Sequence, residues 1–466
     1  MDIKFVENIK ETKCDAIIIN KFIGKETSDQ MANKFLPQDF EGKKGEIFVL
    51  HTHREIPAEY IMVLGLGKEE ELNNNIIRES VSKVIKKCNG MKLKTVSIDF
   101  TTSYNYGAPA VLGAEISNYN FDKYKTKKEN SIKTLYLSKV DENLVNRAKV
   151  IAEAMRLTRN LANEPAAYST PSKLAEVALN IEGIETEVFN KEKIEELGMG
   201  AFLAVSKGSS QPPKFIHMKY TPQNSKKRIA IIGKGLCFDS GGLDIKPANS
   251  MLTMKDDMSG AAGILGVMQA ISKLKPDVEV HGIIAACENM PGCSAYKPGD
   301  ILTAMNGKTI EVDNTDAEGR LTLADALCYA CKLNVEEVID MATLTGACMV
   351  ALGTAASGIM GNDEEFVNKL IETGKITGEK YWELPMWQEY RDNMDSDVAD
   401  MKNTGTRYGG ASAAGMFLKE FVTDNVKWAH LDIAGTAFLE KPQKEFQCKG
   451  SAGAGVRTLI KYIIEQ

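Results

Sequence analysis

The stretch Ile229-Ala230-Ile231-Ile232-Gly233-Lys234-Gly235-Leu236-Cys237-Phe238-Asp239-Ser240-Gly241-Gly242 starts as an unbroken apolar run and ends in glycines that flank a lysine and an acid. A short, continuous, β-branched run such as Ile229–Gly233 reads as a strand buried on both faces, the kind found in sheets covered by helices. Strand patterns recur at Val278–Cys287 and Glu337–Leu344, and helical patterns at Ser259–Leu274 and Ala324–Leu333. Strands and helices therefore alternate, which is α/β order. Ligands of open α/β sheets lie beyond the carboxyl ends of strands, so Lys234 and Asp239 stand where a ligand is expected. Glycines at 233, 235, 241 and 242 free the backbone to bend and to approach that ligand closely.

The same alternation fills the first third of the chain. Cys14–Phe22, Ile47–His51, Tyr60–Leu66 and Val96–Phe100 read as strands, with helical patterns at Asn75–Asn89 and Gly107–Asn118. The lysine-rich segment Asp122–Lys133 has no interleaved aromatics that would make it a binding patch, and reads as a solvated loop. A helix near Asp141–Ala162 ends at Asn163-Glu164-Pro165, because the residue before proline avoids the helical region. Thr170-Pro171 opens the next helix, as N-cap and first helical residue. A chain of 466 residues exceeds what one core usually holds. The expected organisation is an N-terminal α/β domain, residues 1–160, and a C-terminal α/β catalytic domain, residues 161–466, with a central mixed sheet flanked by helices.

Composition excludes several classes. Hydrophobic residues are 43% and charged residues 26% of the chain, ordinary for a globular protein. A net charge of −6 argues against nucleic acid as a partner. No apolar run approaches a bilayer's thickness, and Met1-Asp2-Ile3-Lys4-Phe5 lacks a signal peptide's apolar core. A cytoplasmic location is expected. Nine scattered cysteines fit free thiols in a reducing compartment.

The chemistry concentrates in three segments. In Asn314-Thr315-Asp316-Ala317-Glu318-Gly319-Arg320-Leu321, an extended chain would point Asp316, Glu318 and Arg320 to one side. Two carboxylates buried together need a cation between them. Gly233–Gly242 adds Asp239 and closes at Lys246-Pro247, and Met254-Lys255-Asp256-Asp257-Met258-Ser259-Gly260 adds Asp257 at a helix entrance, where the dipole keeps a carboxylate ionised. The candidate metal acids are thus Asp239, Asp257, Asp316 and Glu318. Oxygen-rich ligation without histidine suits Mn²⁺ or Mg²⁺, and Zn²⁺ also accepts carboxylates. Only five histidines occur, and none forms a His-Glu-x-x-His zinc-protease pattern.

These segments resemble the signature of the leucine aminopeptidase (cytosol aminopeptidase) family. The resemblance extends to Arg159–Pro171, Ala286-Cys287-Glu288-Asn289-Met290-Pro291, Tyr296–Asp300, Trp428–Thr436 and Gly455–Leu459, so it covers roughly residue 150 to the end. It implies a macro-domain-like N-terminal domain and a two-metal peptidase that removes the first, leucine-like residue of peptides. Asp239 and Glu318 would bridge two metals, Lys234 and Asp257 complete one shell, and Asp316 complete the other. Lys234 would have to be neutral. Lys246 would polarise the scissile carbonyl, and Arg320 would hold a bicarbonate ion as general base. Met254, Thr343 and Gly346 would line the pocket for the first side chain. Mn²⁺ or Zn²⁺, with Co²⁺ or Mg²⁺ also admitted, would fill the sites, and the assembly would be a homohexamer. Asp256, Cys237 and Thr406 depart from the commoner family residues.

Competing readings are weaker. Asp239-Ser240-Gly241-Gly242 is similar to a serine-protease nucleophile loop, but a serine hydrolase using Ser240 needs a histidine and a buried acid around it. Gly233-x-Gly235 lacks the third glycine of a dinucleotide loop, since Phe238 stands there. Cys328-x-x-Cys331 has no second pair and reads as helix packing, His51-x-His53 as a strand end, and Met341 and Met349 as core filler.

Overall fold

The computed structural model describes residues 1–99, 106–225, 227–442 and 448–466. The chain divides into two compact units, Met1–Glu153 with Lys441–Cys448, and Ala154–Glu440 with Lys449–Gln466. No helix among the described residues is long and apolar enough to cross a membrane.

The first unit is built on a six-stranded sheet. Its order is Asp2–Phe5, Thr134–Ser138, Thr95–Asp99, Cys14–Lys21, Ala58–Gly65 and Ile47–His51, parallel except for the last. The helix Asn74–Gly90 starts where the Asn73 side chain accepts from the Asn75 and Ile76 amides. The helix Gly107–Asn118 falls where its apolar pattern predicts. Ile18, Met62, Val84, Ile98, Val111 and Leu135 close one core between sheet and helices. The predicted strand Val96–Phe100 is Thr95–Asp99, and Phe100 lies outside the described residues.

The second unit carries an eight-stranded mixed sheet. Its order is Tyr381–Glu383, Ser357–Gly361, Lys427–Asp432, Glu337–Ala342, Arg228–Asp239, Glu279–Asn289, Lys214–Tyr220 and Glu185–Phe189. The four central strands from Lys427–Asp432 to Glu279–Asn289 run parallel. Their carboxyl ends present Asp432, Thr343, Asp239 and Asn289 together.

One strand departs from expectation. Arg228–Asp239 is twelve residues long and continues through Gly233, the expected strand end, and Gly235, where the glycines are expected to let the backbone bend. Gly233 is required by packing instead: a Cβ there would lie 2.6 Å from the Gly260 backbone. That close approach seats the helix Ser259–Leu274 on the strand. The turn comes later, at Gly241 and Gly242, whose φ values of 88° and 68° are left-handed.

Candidate metal centre

Lys234 and Asp239 both lie on the Arg228–Asp239 strand, an odd number of positions apart along it. A regular strand would send them to opposite faces. The pairing with Glu279–Asn289 steps from Leu236↔Cys287 to Phe238↔Glu288, so Cys237 is an extra residue opposite no partner. This bulge restores the parity and brings both side chains to one cavity. Beyond the strand, the loop folds back through Ser240 N–H donating to Asn289 O and Lys246 N–H donating to Ser240 O, each at 2.9 Å. Lys246 is thereby returned over Asp239.

Asp316 and Glu318 reach the same place by a different route from the extended one expected. Thr315 and Asp316 form a turn, Glu318 is the N-cap of the helix Gly319–Cys331, and Arg320 lies in its first turn. The turn is pinned by Thr315 Oγ1 donating to Gly241 O at 2.6 Å, Tyr296 OH donating to Thr315 O at 2.7 Å, and Asn314 Oδ1 accepting from the Asp316 amide at 2.7 Å. Asp257 follows the short 3₁₀ turn Met254–Asp256 and precedes the helix Ser259–Leu274.

Lys234 Nζ lies 2.9 Å from both Asp257 Oδ1 and Glu318 Oε1, and donates to Thr343 O at 3.0 Å. Lys246 Nζ lies 2.7 Å from Asp239 Oδ2 and 2.5 Å from Asp316 Oδ1. Burial would push Lys234 and Lys246 down, but the surrounding carboxylates outweigh it and hold both above the usual lysine range. Burial pushes the carboxyls of Asp257, Asp316 and Glu318 up, and the charge of Asp239 adds to each shift. Burial likewise pushes Asp256 up to about 7.

The donor set fits divalent cations. Asp239, Asp316 and Glu318 can bring one oxygen each within 4.8 Å of one another. Asp257 stands outside that trio and joins it through Lys234. Asp257 Oδ2 and Glu318 Oε2 are buried and accept no hydrogen bond from a described residue. Buried carboxylate oxygens without donors are costly, and a divalent cation held among them would remove the cost.

Arg320 is buried, donates from Nη1 to Asn403 O at 2.8 Å, and lies 5.9 Å over the Phe417 ring. Burial pushes it down to about 10 against the pull of Glu318 and Asp432. Met254, Thr343 and Gly346 line the same cavity, whose volume is about 400 Å³. All ten predicted site residues therefore border one space.

Sequence reasoning gave no role to Asn289 and Asn403. Asn289 Nδ2 donates to Asp239 Oδ1 at 2.8 Å and to Thr315 O at 3.0 Å, tying the acid loop to the acid turn. Asn403 Oδ1 accepts from the Asp313 amide at 2.8 Å, and its Nδ2 donates to Asn314 O at 2.7 Å. Thr343 Oγ1 also orients Asp257 Oδ1, at 2.8 Å. Ser240 is buried and its hydroxyl donates to Asn289 O at 2.7 Å, with no described histidine hydrogen-bonded to it. Thr406 is exposed and donates only to Tyr408 O among the described residues.

Comparison with known proteins agrees with this geometry. Residues 156–460 match the family model "Cytosol aminopeptidase family, catalytic domain", and residues 20–128 match "Cytosol aminopeptidase family, N-terminal domain". The chain is 44% identical over 482 residues to a "Probable cytosol aminopeptidase" of Aquifex aeolicus (strain VF5), covering 99% of this chain and 97% of that one. It is 43% identical over 489 residues to a protein of the same description from Alkaliphilus oremlandii (strain OhILAs), covering 98% of each. Among solved structures, the bottromycin maturation enzyme BotP in complex with Mn superposes with a TM-score of 0.90 at 28% identity, over 97% of this chain and 99% of that one. A tomato leucine aminopeptidase mutant superposes with a TM-score of 0.89 at 32% identity, over 100% of this chain and 97% of that one. With both halves of its fold matched and its acids gathered at one sheet end, the chain belongs to the cytosol aminopeptidase family, with the aminopeptidase activity that membership carries.

Proposed function

We propose that this aminopeptidase is a two-metal enzyme that hydrolyses the first peptide bond of substrates with a free α-amine. The carrying observation is the convergence of Asp239, Asp257, Asp316, Glu318 and Lys234 on one cavity, with donorless buried oxygens on Asp257 and Glu318. Asp239 and Glu318 would hold both ions, Lys234 and Asp257 one, and Asp316 the other. Mn²⁺ is the first candidate, since the similar BotP structure is in complex with Mn. Zn²⁺, Co²⁺ and Mg²⁺ suit the same donors. Two such ions supply an acidified water and a Lewis acid for the carbonyl.

The chain's own groups do the rest. Lys246, held protonated by Asp239 and Asp316, donates to the carbonyl oxygen as negative charge develops there. Arg320, anchored by Asn403 and Phe417, holds bicarbonate as proton acceptor. Lys234 must give up its proton to ligate, so metal loading is favoured by rising pH. Met254, Thr343 and Gly346 receive a leucine-like first side chain, and an apolar pocket discriminates by only about 1–3 kcal/mol per methylene, which gives breadth. A homohexamer in the cytoplasm belongs to the same proposal.

The test is activity on leucyl amide substrates with a chelator and after adding Mn²⁺, Zn²⁺ or Co²⁺. Activity should vanish and return, and a serine-acylating reagent should do nothing. Asp316→Asn and Glu318→Gln should each lose metal and activity while remaining folded by circular dichroism. Full metal content and turnover in either variant would falsify the proposed shell.

A further inference from the structure

Asp256 is the one acid of the cavity that the proposed metal shell does not use and that lies deep in it. It is 7% exposed and lines the same space as the metal-binding carboxylates. Its side chain has no hydrogen bond or ion pair to another described residue, and only its own backbone amide reaches it. Lys255, the residue before it in the chain, makes no ion pair with it: its ammonium donates to Asn163 O at 2.6 Å and sits 6.0 Å over the Phe438 ring. Lys234, engaged with Asp257 and Glu318, and the exposed Glu440 both line the cavity and act on the charge of Asp256 in opposite directions, but neither makes an ion pair or hydrogen bond with it. Met254, Met349, Ala434 and Phe438 supply apolar wall to the same cavity.

A leucine side chain placed here would strip water from Asp256 and give it nothing in return, which is the costly way to bury a polar group. A lysine or arginine side chain would do the opposite. Its methylenes would lie along the methionines and Phe438, and its cationic head would meet an otherwise unpartnered carboxyl. We propose that Asp256, assisted by Glu440, turns the first-residue pocket of this chain toward peptides that begin with lysine or arginine. This rests on the two-metal aminopeptidase reading above and changes one part of it, putting a basic first residue where that reading has a leucine-like one.

The experiment is steady-state kcat/KM of the metal-loaded enzyme on arginyl, lysyl, leucyl and glutamyl amides of one fluorogenic amine. Arginyl and lysyl substrates should match or exceed leucyl, with glutamyl the poorest. Asp256→Asn should lower the arginyl-to-leucyl ratio by about tenfold or more, the scale of one charge-assisted hydrogen bond. Glu440→Gln should lower it by about two- to threefold, because an exposed charge is screened. An unchanged ratio in Asp256→Asn overturns the inference while leaving leucyl hydrolysis, and so the activity reading, standing. Loss of metal in that variant with all substrates falling together also overturns it, by placing Asp256 in the metal shell. Should Asp256→Asn not fold, Glu440→Lys decides: the arginyl-to-leucyl ratio must fall and the glutamyl-to-leucyl ratio rise, and no change in either ratio overturns the inference. Absence of hydrolysis on all four substrates overturns the aminopeptidase mechanism itself.

Discussion

Lys246 and Arg320 border the same cavity as the acids but are held differently, and mutation should separate them. Lys246 bridges Asp239 and Asp316, whereas Arg320 is fixed by a backbone carbonyl and an aromatic ring. Lys246→Ala should keep both metals and lose about 10²–10³ in kcat, as removal of one oxyanion donor does. Arg320→Ala should be milder, and added bicarbonate should stimulate wild type more than the variant in carbonate-depleted buffer. Metal loss in Lys246→Ala would move that lysine into the ligand shell. Equal stimulation of both proteins would take bicarbonate away from Arg320. At this scale the sequence was informative about chemistry and poor about geometry. The acids stand out in the sequence because carboxylates beside apolar runs and glycines need a reason to be there, whereas the roles expected of Lys234 and Lys246 come from the family resemblance. The parity of Lys234 and Asp239 does not stand out, because the bulge at Cys237 is set by pairing with Glu279–Asn289, a strand some forty residues on. Asn403 was invisible for the same reason: its partners, Asp313 and Asn314, are about ninety residues away.

The elements that carry the site are held by close backbone approach. A Cβ on Gly260 would lie 2.1 Å from Met341 O, and one on Gly319 would lie 2.5 Å from Lys234 Cε. The first contact sets the start of the helix that follows Asp257, and the second leaves room for Lys234 under the helix that follows Glu318. Gly260→Ala must push the helix Ser259–Leu274 off the sheet and should lower stability by about 1–3 kcal/mol, the usual cost of overpacking, read by urea unfolding. Gly319→Ala meets a flexible side chain instead of backbone. It should cost less stability but weaken metal binding by displacing Lys234, read by metal titration. Equal stability losses with unchanged metal affinity would contradict this division. Most elements were legible, since Ser259–Leu274 and Gly107–Asn118 match their periodic patterns residue for residue. The segment Asn314–Glu318 was misread as extended. Alternating polar and small residues fit a strand as well as a turn, and the tertiary bonds from Tyr296, Gly241 and Asn403 decide for the turn.

Across the whole catalytic unit, buried Asp325 and half-buried His217, neither of which lines the cavity, bias stability against pH in opposite directions. Burial pushes Asp325 up to about 7 even though it accepts from the Phe202 and Met305 amides at 2.8 Å each. Its folded pKa lies above the unfolded value near 3.9, so the fold holds the proton more tightly. Its contribution is full at low pH and is lost as pH rises from about 4 to about 7. Burial, with the charges of His281 and Lys219, pushes His217 down to about 4, where its ring sits between His281 at 2.9 Å and Tyr329 OH at 3.0 Å. Its folded pKa lies below the unfolded value near 6.5, so its contribution is full above that value and is lost as pH falls toward 4. His281 is also pushed down by burial and adds to the second trend. Between pH 4.5 and 6.5 the slopes oppose, each at most about 1.4 kcal/mol per pH unit. Asp325→Asn should therefore make stability rise more steeply with pH than wild type over that window. His217→Gln should make it rise less steeply, or fall. The readout is the change in slope across urea-unfolding curves at several pH values with metal held saturating, so the different absolute costs of the two substitutions drop out. Slope changes of the same sign in both variants would show that the proton balance of this unit is not set by these two groups.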